Sequence, residues 1–143
     1  MLYYTTTYYI LRMEYSKNYT VSKDHTDQNC CMYCTYYPYY MELCRRDYLR
    51  DVLGFDLAKE ANRDIYMKVT QYSIKTLGVL KKGENFTVTC SVFLANDEKQ
   101  HFSFKQCVII DGAIICVGIF SVNCVMASKR THAVKNMLGR LWG

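Results

Sequence analysis

The stretch TDQNCCMYCTYYPYYMELCRRDYLRDVLG, residues 26–54, contains the clearest periodic pattern in the chain. From Pro38 to Leu53 apolar side chains recur at helical spacing, and the charged side chains, Arg45 among them, fall outside this stripe. A proline is tolerated in the first turn of a helix, and Gly54 suits the left-handed residue that ends one. The pattern therefore predicts an amphipathic helix with a buried stripe formed by Tyr37, Met41, Cys44, Tyr48 and Val52.

Beyond this helix the apolar period changes to that of a β-strand. Residues 86–94 alternate apolar and polar side chains, as a half-buried strand does. Further extended segments cover 65–74, 101–110 and 113–125, with turn-forming residues between them, and one more strand is predicted at 14–22. This order predicts an α+β protein in which an antiparallel sheet of about five strands wraps its apolar face around one long central helix.

Length and composition favour one domain. The chain has 143 residues, 50% of them hydrophobic, which is enough to form a core without crosslinks. We assign residues 13–143 to this domain and interpret residues 1–12 as a possible flexible N-terminal extension. No run of roughly 18 apolar residues is present, so we predict no membrane span.

Charge and cysteine content argue against a nucleic-acid-binding protein and against a disulfide-stapled scaffold. The net charge of +5 is modest, and basic residues are interspersed with acids rather than forming the one-sided stripe of a nucleic-acid-binding protein. The eight cysteines do not fit a disulfide-stapled scaffold, because the chain is longer than such domains usually are. We therefore expect reduced thiols, a cytoplasmic location and a small anionic ligand.

The stretch also contains a spaced motif, and its residues are Thr26, Asp27, Tyr33, Tyr37, Glu42, Arg45, Leu49 and Arg50. Together with the strand layout and the turn KKGENF at 81–86, the motif resembles the hotdog-fold thioesterases of the 4-hydroxybenzoyl-CoA thioesterase type. The resemblance covers residues 13–126. Two departures stand out, since Cys30 replaces a glycine of the family and the Arg-Pro-rich tail is reduced to ASKRTHAV at 127–134.

The resemblance implies a hotdog fold and hydrolysis of an acyl-CoA or acyl-carrier-protein thioester. Asp27 would serve as nucleophile or general base, and the sequence does not choose between these roles. The backbone amide of Cys34 would donate to the developing oxyanion, because the start of a helix presents unpaired amides. The plain alternative for Asp27 is a turn or cap acceptor, the common fate of an aspartate before a helix.

Other residues receive secondary roles. Glu42 is a second candidate carboxylate, although an ion pair with Arg45 or Arg46 on the helix surface explains it equally well. Substrate contacts are expected from Tyr33 and Tyr37 in the acyl pocket, whose alternative is burial in the core, and from Lys129 and Arg130 at the coenzyme-A phosphates. His25 precedes Asp27 by two residues, and we treat it as peripheral.

Two competing interpretations concern the cysteines. Cys31 and Cys34 have zinc-knuckle spacing, with Cys30 adjacent, but a structural zinc needs four ligands and no second pair follows. A cysteine nucleophile lacks a motif that supplies its base. We therefore predict no metal site and no cofactor.

The predicted strand edges indicate self-association. Long unpaired edges are a liability that proteins cover, so we expect a homodimer or homotetramer. A second hypothesis for function is a non-catalytic hotdog module that binds acyl thioesters as a sensor or regulator. Loss of the family glycine at Cys30 would be compatible with that alternative.

Overall fold

The computed structural model of the protein describes residues 2–4, 8–11, 14–95 and 101–126. It contains a 16-residue helix, α1 (Tyr36–Asp51), and a six-residue helix, α2 (Leu57–Asn62). The strands are β1 (Leu2–Tyr4), β2 (Tyr8–Leu11), β3 (Tyr15–Thr20), β4 (Ile65–Thr76), β5 (Asn85–Ala95), β6 (His101–Ile110) and β7 (Ala113–Met126).

All described strands belong to one antiparallel sheet with the order β1-β2-β5-β6-β7-β4. Strand β3 also pairs with β5, using residues 85–90 of that strand, whereas β2 uses residues 93–95. The five predicted strands correspond to β3–β7, and every predicted boundary lies within two residues of the observed one. The prediction of an antiparallel sheet that packs on a helix is confirmed.

Helix α1 packs on the face of the sheet that carries the buried residues of β5, β6 and β7. It begins and ends two residues before its predicted bounds, and Gly54 has the expected left-handed backbone with φ 66°. Four members of the predicted stripe are buried, and Val52 is partly buried. The position of Arg45 was predicted wrongly, because its side chain is only 8% exposed and belongs to the buried face.

Gly118 on β7 allows the close approach of helix and sheet. A Cβ atom at this position would lie 2.7 Å from Sδ of Met41 and 2.8 Å from Cε2 of Phe120. Met41 is 0% exposed, so its side chain has little room to move away. A glycine is therefore required by packing here rather than by backbone conformation.

Two parts of the architecture were not predicted. Helix α2 has six residues, too few for helical periodicity to appear, and Asp56 caps it by accepting hydrogen bonds from Ala58 and Lys59 N–H at 3.0 and 3.2 Å. Strands β1 and β2 lie within the segment 1–12, where we predicted an extension. The flexibility of that segment stays a prediction. Neither of the described α-helices is long and apolar enough to cross a membrane.

Candidate active site

Asp27 lies in a tight loop that precedes α1. Its N–H donates to the carbonyl of Cys31 at 2.8 Å, and the N–H of Cys30 donates to the Asp27 carbonyl at 3.0 Å. The N–H of Met32 then donates to the carbonyl of Leu80 at 2.8 Å. These bonds close the loop on itself and fasten it to the segment that leads into β5, so the position of Asp27 is set by backbone contacts.

The carboxylate of Asp27 is held on one side only. Its Oδ1 accepts hydrogen bonds from the N–H of Asn29 at 2.8 Å and of Cys31 at 3.0 Å. Its Oδ2 accepts no hydrogen bond from any residue within the described ranges. Asp27 is half-buried. The group is thus both a turn former, as the plain alternative predicted, and a fixed carboxylate with one oxygen that accepts no hydrogen bond from the described residues.

Cys30 has a backbone conformation that favours glycine. Its φ of 63° lies in the left-handed region, which glycine adopts without steric conflict and other residues adopt at a cost of roughly 1 kcal/mol. The chain accepts this conformation with a cysteine, and the loop keeps the hydrogen bonds that hold Asp27. A cysteine at this position is therefore compatible with the hydrogen bonds that hold Asp27.

The beginning of α1 presents free backbone donors. Thr35 is the N-cap residue, and its side chain makes no capping hydrogen bond. The N–H groups of Cys34 and Thr35 have no hydrogen-bond acceptor in the part of the chain that the structure describes. No acidic residue lies in the first turn of the helix, so its partial positive charge is not compensated there. This end of the helix can stabilise a developing negative charge.

His25 and a group of tyrosines form the surroundings of this loop. The N–H of Tyr33 donates to the His25 carbonyl at 3.0 Å, which brings the two ends of the loop together beside the helix start. The His25 ring stacks on Tyr36 with centroids 3.9 Å apart, and its Nδ1 lies 2.8 Å from the Tyr40 hydroxyl. The sequence analysis treated His25 as peripheral. It did not predict this cluster, because the tyrosines that contact His25 belong to α1.

The other predicted site residues that the structure describes have different environments. Tyr33 is 51% exposed, whereas Tyr37 is 2% exposed, and its hydroxyl donates to the Gly78 carbonyl at 3.4 Å. Burial raises the pKa of Tyr37 above its ordinary value. The Glu42 carboxylate lies 3.4 Å from Nη2 of Arg46, as the surface ion pair predicted. Lys129 and Arg130 lie outside the described residues.

The cysteines divide into two environments. Cys30 and Cys34 are exposed, and Cys31 is half-buried beside them. The other cysteines are buried, and burial raises the pKa of Cys44 and of Cys124 to about 12. Within residues 14–95 and 101–126, no three His, Cys, Asp or Glu side chains are arranged to hold a metal ion.

Comparison with known proteins finds likeness at the level of structure. No family model and no curated protein matches the sequence. A 1,4-dihydroxy-2-naphthoyl-CoA thioesterase from Synechocystis matches with a TM-score of 0.78 and 10% identity, covering 90% of this chain and 96% of that one.

Two proteins of Staphylococcus aureus are similar to the chain in the same way. A DHNA-CoA thioesterase matches with a TM-score of 0.72 and 17% identity, covering 90% of this chain and 92% of that one. A protein solved in complex with CoA matches with a TM-score of 0.75 and 14% identity, covering 92% and 85%. At such identities the likeness establishes the fold alone, and the protein has the hotdog fold in which these thioesterases are built.

Proposed function

We propose that the protein hydrolyses an acyl thioester of coenzyme A or of acyl carrier protein to a free acid and a thiol. The observation that carries this proposal is the loop before α1, where one oxygen of the Asp27 carboxylate is fixed by two amides and the other is open. The unpaired amide of Cys34 at the helix start supplies the second element that thioester hydrolysis needs. The likeness to solved thioesterases supports the same reaction class.

The roles of the two groups follow from their chemistry. The open oxygen of Asp27 either attacks the thioester carbonyl, forming a mixed anhydride and releasing the thiol, or takes a proton from the water that attacks. In both routes negative charge develops on the carbonyl oxygen. The Cys34 N–H and the partial positive charge of the helix start stabilise that oxygen, whatever side chain residue 34 carries.

Substrate contacts are assigned to four residues. Tyr33 is 51% exposed beside the loop, so its ring is available to an acyl group. Tyr37 is buried at the start of α1 and would contribute to the floor of the acyl pocket. Lys129 and Arg130 are proposed to bind the phosphates of coenzyme A, for which guanidinium and ammonium groups are suited. Glu42 stays a weaker catalytic candidate, because its carboxylate is engaged by Arg46.

Assembly through the β4 edge is part of the proposal. Within the described sheet β4 pairs only with β7, and it exposes 38% of Tyr66, 43% of Val69 and 61% of Tyr72. An exposed strand edge with apolar side chains favours pairing with a second copy. We propose a homodimer through β4, with a homotetramer as the alternative.

Sedimentation tests this assembly. Tyr66→Lys should weaken self-association by roughly tenfold or more, since it places charge at the paired edge. Tyr39→Lys is the matched control, because Tyr39 is 44% exposed on α1, away from that edge. A strictly monomeric mass for the unaltered protein at micromolar concentration would contradict the proposal.

The cytoplasmic location is retained as a proposal. All eight cysteines are free, which is the state that a reducing compartment maintains.

Release of CoA from a panel of short, long and aromatic acyl-CoA thioesters tests the activity. Free CoA should be measured by chromatography, because the exposed thiols of Cys30 and Cys34 would themselves consume a thiol reagent. Turnover of at least one thioester is expected. Saturable binding across the panel without CoA release would instead support the alternative of a non-catalytic sensor or regulator.

A further inference from the structure

A cavity lies between α1, α2, β4 and β7, and no residue of the Asp27 loop lines it. Its volume is about 80 Å³, several times the space that one water needs. Its apolar wall is formed by Leu49, Leu57, Met67, Val69 and Val122, and its charged lining by Glu42, Arg45 and Arg46. Of the three charged side chains only Arg45 is buried. The buried cation and the apolar wall distinguish this cavity from the Asp27 loop, and Glu42, the weaker catalytic candidate, lies in its lining.

Arg45 makes no direct ion pair with a carboxylate of the described chain. Its side chain is 8% exposed, its Nη1 donates to Oε1 of Gln106 at 2.8 Å, and its guanidinium lies 4.4 Å from the ring centroid of Phe120. Gln106 is neutral and is itself fixed by donating to the Met41 carbonyl at 2.8 Å. A guanidinium has five N–H donors and stays protonated in proteins, so most of its donors are open to another acceptor.

The nearby acids are engaged elsewhere. Glu42 at the rim binds Arg46 at 3.4 Å, with 57% of its side chain exposed to solvent. Glu60 on α2 lies 3.8 Å from Nη1 of Arg63. No carboxylate of the described ranges lies within 4.0 Å of the Arg45 guanidinium. A buried charge is costly unless it is paired, so this arrangement favours an anion from outside the chain.

We propose that the Arg45 cavity binds a small organic acid, with its carboxylate on the guanidinium and a short apolar tail against the leucine, methionine and valine side chains. A carboxylate matches the planar fork of arginine and accepts two parallel hydrogen bonds from it. Inorganic phosphate fits less well, because its hydration would be lost against apolar walls. Neither Asp27 nor Cys34 lines this site, although a free acid is also the product class of the proposed hydrolysis.

Calorimetric titration of the full chain with butyrate and with butyramide tests the proposal. The two ligands have the same shape, but only butyrate carries the negative charge. Butyrate should bind saturably with a dissociation constant in the millimolar range, as expected of so few atoms. Butyramide should bind at least tenfold more weakly, since a neutral amide does not pair with the guanidinium. Equal binding of the two, or no saturable binding of butyrate, would overturn the proposal.

Variants locate the site. Arg45→Met removes the charge while keeping an unbranched apolar stem, and it should weaken butyrate binding by about tenfold or more. Arg50→Met is the matched control, because Arg50 is half-exposed on the same helix, is paired with Asp47 and does not line the cavity, and binding should change by less than about threefold. The reverse order of effects, or retention of binding in Arg45→Met, would contradict the assignment.

A second variant tests the location of the site if Arg45→Met does not fold. Leu57→Trp on α2 fills the cavity from its wall without altering Arg45, and it should abolish butyrate binding. Asp27→Asn should leave butyrate binding unchanged, which separates this site from the proposed hydrolysis. If butyrate binds to Leu57→Trp as it does to the unaltered protein, the cavity is not the site.

Discussion

Two charged groups, Asp27 in the loop before α1 and Arg45 on α1 itself, are held in opposite ways. Asp27 is bound by amides two and four residues further along the chain, so its surroundings are local. Arg45 is bound by Gln106, which is 61 residues away on β6. Local partners can be inferred from a short motif, whereas distant partners require the fold. The comparison shows why one group was identified from sequence and the other was assigned to the wrong face.

The two regions should also differ in their response to substitution. Asp27 is half-buried in a loop, and an asparagine can accept the same amide hydrogen bonds. Arg45 is buried in a close-packed layer, where losing one partner leaves a charged group with fewer hydrogen bonds. Changes in the helix-sheet layer should therefore cost stability, and changes in the loop should mainly affect chemistry.

The largest expected loss of stability comes from Gln106→Leu. Gln106 is 0% exposed and accepts the hydrogen bond of the Arg45 guanidinium. Without it the buried cation loses that partner, and the free energy of unfolding should fall by about 3 kcal/mol in urea denaturation. Lys105→Leu, one residue earlier on the exposed face of β6, should change stability by less than about 0.5 kcal/mol. Equal effects of the two would show that the Arg45–Gln106 pair is not structural.

Gly118→Ala should have the next largest effect. The added methyl group would overlap Met41 and Phe120, and overpacking of this kind costs about 2 kcal/mol of unfolding free energy. Calorimetry or urea denaturation measures the loss. Combining the change with Met41→Leu, which removes the overlapping sulfur, should recover part of it. A fully tolerated alanine would mean that the helix does not approach the sheet as closely as the structure shows.

Cys30→Gly should produce the smallest effect, and in the opposite direction. Relief of the left-handed backbone at φ 63° should raise the unfolding free energy by about 0.5 kcal/mol, because glycine's greater freedom in the unfolded chain offsets part of the gain. Cys30→Val should lower stability, since a β-branched residue tolerates that conformation poorly. If valine were neutral, the loop would have a different backbone path from the one described.

Most of the fold could be predicted because its elements are long and regular. Strand β5 shows alternation clearly, turn-forming residues separate the long strands β5, β6 and β7, and α1 shows helical spacing with a glycine beyond its end. Helix α2 and the strands β1 and β2 are too short for a period to appear. Their existence depends on pairing and packing with distant residues, which local patterns do not contain.

The candidate site was predictable to the extent that its contacts are local. The resemblance to the thioesterase motif identified Asp27 and the start of α1, and the structure describes the hydrogen bonds that hold them. The stacking of His25 on Tyr36 and the burial of Arg45 were missed, because both depend on how the helix lies against other elements. The sequence around Arg45 contains no sign that Gln106, a neutral residue distant in the chain, accepts its hydrogen bond in the core.

Turnover of Asp27→Asn tests the central claim most directly. The variant keeps the acceptor for Asn29 and Cys31, so its melting temperature should shift by no more than about 2 °C. The proposed role predicts a fall in kcat of roughly 100-fold or more while thioester binding survives, because an amide neither attacks nor takes a proton efficiently.

Asp56→Asn is the matched control for this measurement. Asp56 also accepts two backbone N–H bonds through Oδ1, but it caps α2 outside the candidate site. Its variant should keep normal turnover. A large loss in Asp27→Asn with none in Asp56→Asn is the predicted result. Near-normal turnover in Asp27→Asn would contradict the account and would direct attention to Glu42 as the working carboxylate.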